Sequence, residues 1–177
     1  NTRSRGLGDV YKRQEMKATG EVLGIGRSFG VALNKAYAAA GVEINENEKG
    51  IFVSLSDQEK PNFIKIVKTY SDLGFKIYST YGTGEYLKNN EINSTIVGRA
   101  DETFPTSLTI LQDKLISLVI NTPTFANEYT DGWKIRRLSH ETGVAVVSSV
   151  REAEAFLKAF LETTKSFEDM EAIQNVS

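Results

Sequence analysis

Phe75-Lys76-Ile77-Tyr78-Ser79-Thr80-Tyr81-Gly82-Thr83-Gly84 is the stretch that decides the fold. Its first half is a short β-forming run, and its second half sets two threonines and two glycines where a helix begins. The same alternation continues on both sides. Ile51–Leu55 reads as a first strand, and Pro61 opens a helix to Leu73 with Phe63, Ile64, Ile66, Val67 and Tyr70 at helical spacing and Gly74 as its stop. Phe75–Ser79 is the second strand. Downstream, the pattern predicts a helix over Gly84–Asn90, a strand over Ser94–Val97 and a loop through Pro105. A helix over Leu108–Lys114, a buried strand over Leu115–Ile120, a helix over Gly132–Glu141, a strand over Val144–Val147 and an amphipathic helix over Val150–Thr163 follow. Short β-branched runs alternating with amphipathic segments mark an α/β domain, a mostly parallel sheet of about five strands between helical layers.

Upstream of Gly50 the pattern differs. Residues 1–14 carry Arg3, Arg5, Lys12 and Arg13 without an apolar period and resemble translated sequencing-adapter read-through. They are expected to be an unfolded leader, with the genuine protein starting at Gln14 or Glu15. Residues 15–49 begin glycine-rich, run through a helical stretch ending at Gly41, and close in a polar linker, Val42 to Gly50. The domain proper is placed at residues 50–163 and a fraying tail at 164–177.

Composition narrows the function classes. Hydrophobic residues make up 40% and charged residues 25%, the balance of a globular domain, and no apolar run is long enough to span a bilayer. A net charge of −2 argues against a nucleic-acid surface. Without cysteine, and with His140 the single histidine, thiol chemistry and multi-histidine metal sites are excluded. No signal-peptide pattern opens the chain, so a cytoplasmic location is expected.

In an open α/β sheet, ligands bind beyond the carboxyl ends of the strands. Three segments fall there. In Ser79-Thr80-Tyr81-Gly82-Thr83-Gly84, the glycines allow close backbone approach, and Thr80 and Thr83 offer hydroxyls at the positive end of the next helix. The segment reads equally well as a phosphate cradle or as an ordinary strand-to-helix turn capped by Thr83. Asn121-Thr122-Pro123-Thr124 supplies an amide and hydroxyls, and Gly98-Arg99-Ala100-Asp101-Glu102 supplies a fork of donors at Arg99. Lys60 adds a point charge. The convergence of Ser54, Lys60, Thr80, Thr83, Arg99 and Asn121 on one edge favours a phosphorylated small molecule. Arg136 and Arg137 are read as helix decoration, and Trp133 and His140 as structural. No residue is assigned to catalysis; Asp101 and Glu102 are the nearest carboxylates a phosphate-elimination enzyme would need.

Two stretches carry a family resemblance. Glu15-Met16-Lys17-Ala18-Thr19-Gly20-Glu21-Val22-Leu23-Gly24 resembles the motif closing the second ATP-grasp unit of the carbamoyl-phosphate synthase large subunit. The domain after it, with its Thr80-x-Gly82-Thr83 loop, is similar to the methylglyoxal-synthase-like regulatory domain that ends that subunit. The resemblance implies a Rossmann-type three-layer domain preceded by a helical remnant of an ATP-grasp domain. It also implies a parent enzyme, an ATP-dependent C–N ligase using ATP with Mg or Mn in its catalytic units. That enzyme makes carbamoyl phosphate from bicarbonate and glutamine-derived ammonia for arginine and pyrimidine synthesis.

The resemblance further implies that this chain is the regulatory, non-catalytic portion, binding a nucleotide or other phosphorylated effector. Its partners would be the rest of the large subunit and a glutaminase small subunit, with no nucleic acid and no membrane. Matched by position, Ser54, Lys60, Thr80, Thr83 and Asn121 fall on the family's phosphate and ribose contacts, with Gly82 and Thr122 beside them. Arg99 stands where a lysine is frequent, and Pro123 where some members have threonine. Glu21, Ser148 and Ser149 lie at the family's domain seam, where Val146-Val147-Ser148-Ser149 lacks the aspartate and threonine associated with ornithine control. Two alternatives remain. A stand-alone methylglyoxal-synthase-like enzyme would need a Gly-Gly-Asp motif where this chain has Thr103-Phe104-Pro105. A domain with a degenerate pocket would serve subunit assembly alone, through an edge at Glu21–Gly41.

Overall fold

A computed structural model of the chain describes residues 22–42, 49–98, 106–122 and 131–163. The leader, the tail and residues 43–48 of the linker lie outside them. Among the described residues are six helices and five strands: α1 (Phe29–Ala39), β1 (Gly50–Ser54), α2 (Lys60–Asp72), β2 (Lys76–Ser79), α3 (Tyr81–Asn89), β3 (Thr95–Ile96), α4 (Ser107–Gln112), β4 (Leu118–Asn121), α5 (Asp131–Thr142), β5 (Ala145–Val147) and α6 (Val150–Thr163).

Every strand pair is parallel and the order is β3-β2-β1-β4-β5. The chain winds outward from β1 to β3, then crosses to β4 and winds the other way. That reversal places α2 and α3 on one face of the sheet and α4 and α5 on the other. Because strand side chains alternate, β1 feeds both layers. Ile51 and Val53 face α2 and α6 through Phe63, Val67, Tyr70, Phe156 and Phe160. Phe52 turns the other way, with Val119, to Ile110, Leu111 and Ile135. Burial of strands on both faces explains why β1 and β4 read as continuous apolar runs.

Boundaries differ from the sequence reading in two places that matter. The helix expected from Gly84 starts at Tyr81, because Thr80 is extended (φ −67°, ψ 158°) and acts as the N-cap. Gly82 and Gly84 are therefore helical residues, not a loop, and neither has positive φ. Gly84 is required for proximity: a Cβ there would lie 2.7 Å from the Ser79 hydroxyl and 2.9 Å from Ile96 Cγ1. Strand β4 begins at Leu118, not Leu115. Lys114 takes φ +52° and the Leu115 N–H bonds Ile110 O at 3.0 Å, so these residues close α4. The strand then extends to include Asn121.

Helix α1 packs along α6, with the Tyr37 ring edge-on to Phe156 at 5.7 Å. Its first turn is tied down by a carboxylate from α6. Glu162 accepts from the Ser28 hydroxyl and from the Val31 N–H (3.1 Å), and lies against Gly30, which has no side chain to displace it. An anion at a helix N-terminus is favourable twice, through hydrogen bonds and through the helix dipole.

Candidate functional site

The reversal of winding falls between β1 and β4, and Ser54, Thr80, Asn121 and Thr122 lie at the carboxyl ends of β1, β2 and β4. Register pairs Ser54 with Asn121 and Val53 with both Ile120 and Ser79. Ser54, Thr80, Asn121 and Thr122 therefore share one edge, and the last two are buried.

The turn after β1, residues 55–59, is held from both sides by threonines. Thr83, 1% exposed in α3, accepts the Leu55 N–H at 3.0 Å. From β4, Thr122 Oγ1 accepts the Ser56 N–H at 2.7 Å, while the Thr122 N–H donates to Ser54 O at 3.1 Å. Thr80 donates its hydroxyl to Thr83 Oγ1 at 3.1 Å. Both acceptor positions of Thr83 are thus filled. The threonines that the sequence offers as phosphate contacts first serve to shape the turn.

That turn delivers Lys60 to the start of α3. Its side chain is 12% exposed, Nζ sits 5.9 Å from the Tyr86 ring centre, and a Cβ at Gly82 would be 3.8 Å from it. Asp57 Oδ1 pairs with the ammonium at 2.6 Å. The first N–H groups of α3 have no intrahelical acceptor, and the Thr80 side chain does not cap them. A cation, a helix N-terminus and hydroxyls are consequently within one small region, which suits an anion. Asp57, Ser56 and Tyr86 were not singled out from the sequence. The Asp57–Lys60 spacing of three residues is the local signal that points to the pair.

Other expected residues fall elsewhere. Ser148 and Ser149 sit after β5, at the opposite edge from β3, where their N–H groups donate to the Glu152 carboxylate at 2.7 and 3.1 Å. Glu152 N–H in turn donates to Ser149 Oγ at 3.2 Å, a reciprocal cap of α6. The Ser148 N–H above all, with burial opposing, holds the Glu152 carboxyl below its usual range. Arg137 pairs with Glu141 at 2.9 Å and lies over the Trp133 ring at 5.5 Å, so it is occupied along its own helix. His140 is exposed in the last turn of α5. Glu21, Arg99, Asp101, Glu102, Thr103, Phe104, Pro105, Pro123 and Thr124 lie outside the described residues. Among the described residues no group of three His, Asp or Glu side chains is placed to hold a metal, and no helix is long and apolar enough to cross a membrane.

A five-stranded, all-parallel α/β sheet whose order reverses between β1 and β4 defines a Rossmann-type domain. Residues 62–148 match the pattern of the MGS-like domain family. The chain is similar to the carbamoyl phosphate synthase large chain of Clostridium acetobutylicum, 37% identical over 85% of this chain and 14% of that protein. The large chain of Agathobacter rectalis is 36% identical over 92% of this chain and 15% of its own length. In Aquifex aeolicus the relative is a large chain, C-terminal section, 36% identical over 88% of this chain and 29% of that section. The chain thus spans a small share of the length of these relatives.

Proposed function

We propose that this chain is the effector-binding regulatory domain of a carbamoyl phosphate synthase large chain, and that its ligand is a nucleotide or another phosphorylated metabolite. The observation that carries this reading is Lys60, whose side chain is largely buried and whose ammonium lies beside the first turn of α3, where the Thr80 side chain makes no capping bond. Ser54, Thr80, Gly82, Thr83, Asn121 and Thr122 complete the edge, and Arg99 is retained as a candidate contact on its charge alone. The similarity to large chains over most of the sequence supports the assignment of the parent. Catalysis belongs to the parent, where ATP with Mg or Mn would be used in ATP-grasp units, and the glutaminase subunit would supply ammonia. Residues 15–49 are then the end of the second such unit and the linker, and residues 50–163 the regulatory domain, working in the cytoplasm.

The test is a thermal-shift and calorimetry series with uridine monophosphate, inosine monophosphate and simple sugar phosphates. A ligand that binds only the folded state at 100 times its Kd adds about 2.7 kcal/mol, a rise of several degrees in Tm. Lys60→Ala abolishes the shift. Absence of any shift at millimolar ligand refutes the proposal, and methylglyoxal formation from dihydroxyacetone phosphate would replace it with the phosphate-enzyme reading.

A further inference from the structure

Asp57 and Lys60 are partners of unequal standing. The Lys60 side chain is 12% exposed, whereas that of Asp57, whose carboxylate meets the ammonium at 2.6 Å, is 92% exposed. Around the cation are the face of Tyr86 and the backbone of Gly82 in the first turn of α3. A lysine at the N-terminal end of a helix stands on the unfavourable side of the dipole. A cation drawn out of water also needs an anion close by. Asp57 is the anion that meets this need in the ligand-free chain. Because it is exposed, its hold on the lysine is weak and its return to solvent costs little.

We infer that Asp57 is a resident counter-ion that occupies Lys60 until a phosphoryl group displaces it, and so sets the concentration at which the site responds. The inference rests on the reading of this edge as a phosphate site. Asp57 is a positioning residue: it holds the ammonium beside α3, then competes with the incoming anion for the same donor. After displacement its charge stays near the site and continues to oppose the ligand. The neutral, similarly shaped asparagine removes both the competition and the repulsion.

The experiment is calorimetric titration of the 177-residue chain at low salt with two probes, inorganic phosphate and uridine monophosphate, on the wild type, Asp57→Asn, Asp57→Glu and Lys60→Ala. Asp57→Asn is expected to bind both probes about 3- to 10-fold more tightly, since an exposed pair of this kind is weak. Asp57→Glu should restore wild-type affinity, and the ligand-free Tm of Asp57→Asn should stay within about 2 °C of wild type, as for other surface changes. Equal or weaker binding by Asp57→Asn, with Lys60→Ala still eliminating it, overturns the inference and leaves the phosphate site standing. Failure of both probes to bind wild type and Asp57→Asn alike removes the phosphate site, and the inference with it.

Discussion

Thr83→Val is the substitution that best separates shape from chemistry at this site. The side chain is 1% exposed and its oxygen accepts the buried Leu55 N–H at 3.0 Å. Valine matches threonine in volume and in helix propensity, so packing and helix formation change little. The loss is one buried hydrogen bond, which leaves the Leu55 N–H without an acceptor at a cost of ~1–3 kcal/mol. Thr80, half-buried, can turn its freed hydroxyl to water. Replacing a buried hydroxyl by a methyl group returns roughly 0.8 kcal/mol. The net destabilisation is therefore roughly 0.2–2 kcal/mol, centred near 1 kcal/mol, or a fall in Tm of roughly 4 °C for a domain of this size.

Urea denaturation followed by far-UV circular dichroism and Trp133 fluorescence should show a lower midpoint at unchanged m. Hydrogen exchange should show faster exchange at the Leu55 and Ser56 amides, while Thr83→Ser keeps both protected. The turn carries Lys60, so Thr83→Val should also weaken binding of uridine monophosphate several-fold. A Thr83→Val chain within about 0.3 kcal/mol of wild type, with Leu55 still protected, would show that this hydroxyl does not hold the turn.

Three further outcomes are expected. Gly84→Ala should destabilise by about 1–2 kcal/mol in urea melts despite the better helix former, because the new methyl group meets Ser79 Oγ and Ile96; a gain in stability would mean the neighbours yield freely. Burial, reinforced by Tyr37, pushes the Tyr70 phenol well above its ordinary 10.0, and its hydroxyl donates to Ala153 O at 2.7 Å. The folded state therefore keeps a proton that the unfolded state releases above pH 10, so this contribution is complete below pH 10 and falls as pH rises past it. Tyr70→Phe should flatten the alkaline decline by up to ~1.4 kcal/mol per pH unit, read from melts at pH 9–11. Glu152, held below its usual range by the Ser148 N–H, contributes stability that is present above the normal carboxylate pKa of 4.5 and is lost as pH falls through its folded value. Glu152→Gln should cost roughly 0.2–1 kcal/mol at pH 7, the range for an exposed interaction, and less at pH 3.

The alternation from Ile51 to Phe160 was legible because a parallel sheet buried on both faces writes itself as short apolar runs between amphipathic helices. Helix α6, Val150–Thr163, has the expected bounds, and α2 and α5 agree within a residue at each end. The start of α3 was not legible. Gly82 and Gly84 suggest a loop, since glycine is the usual device for one, yet here Gly84 answers to Ser79 and Ile96, which reach it through the pairing of β2 with β3. Asn121 was chosen as a loop residue and lies in the strand, because the turn closing α4 takes up Leu115 and moves the strand's start to Leu118.

The candidate site divides in the same way. Sequence alone determined the α/β class, the anion-suited residue types, and their place at the carboxyl ends of the strands, because all three follow from local pattern. Only the tertiary structure decided what each residue does there. Thr83 and Thr122 brace the turn after β1 from two different elements, Ser148 and Ser149 cap α6, and Lys60 is brought against the first turn of α3 with Asp57 as its companion. Hydrogen-bond partners 28 and 66 residues apart are set by strand order and register, and no local pattern records which donor a distant hydroxyl will meet.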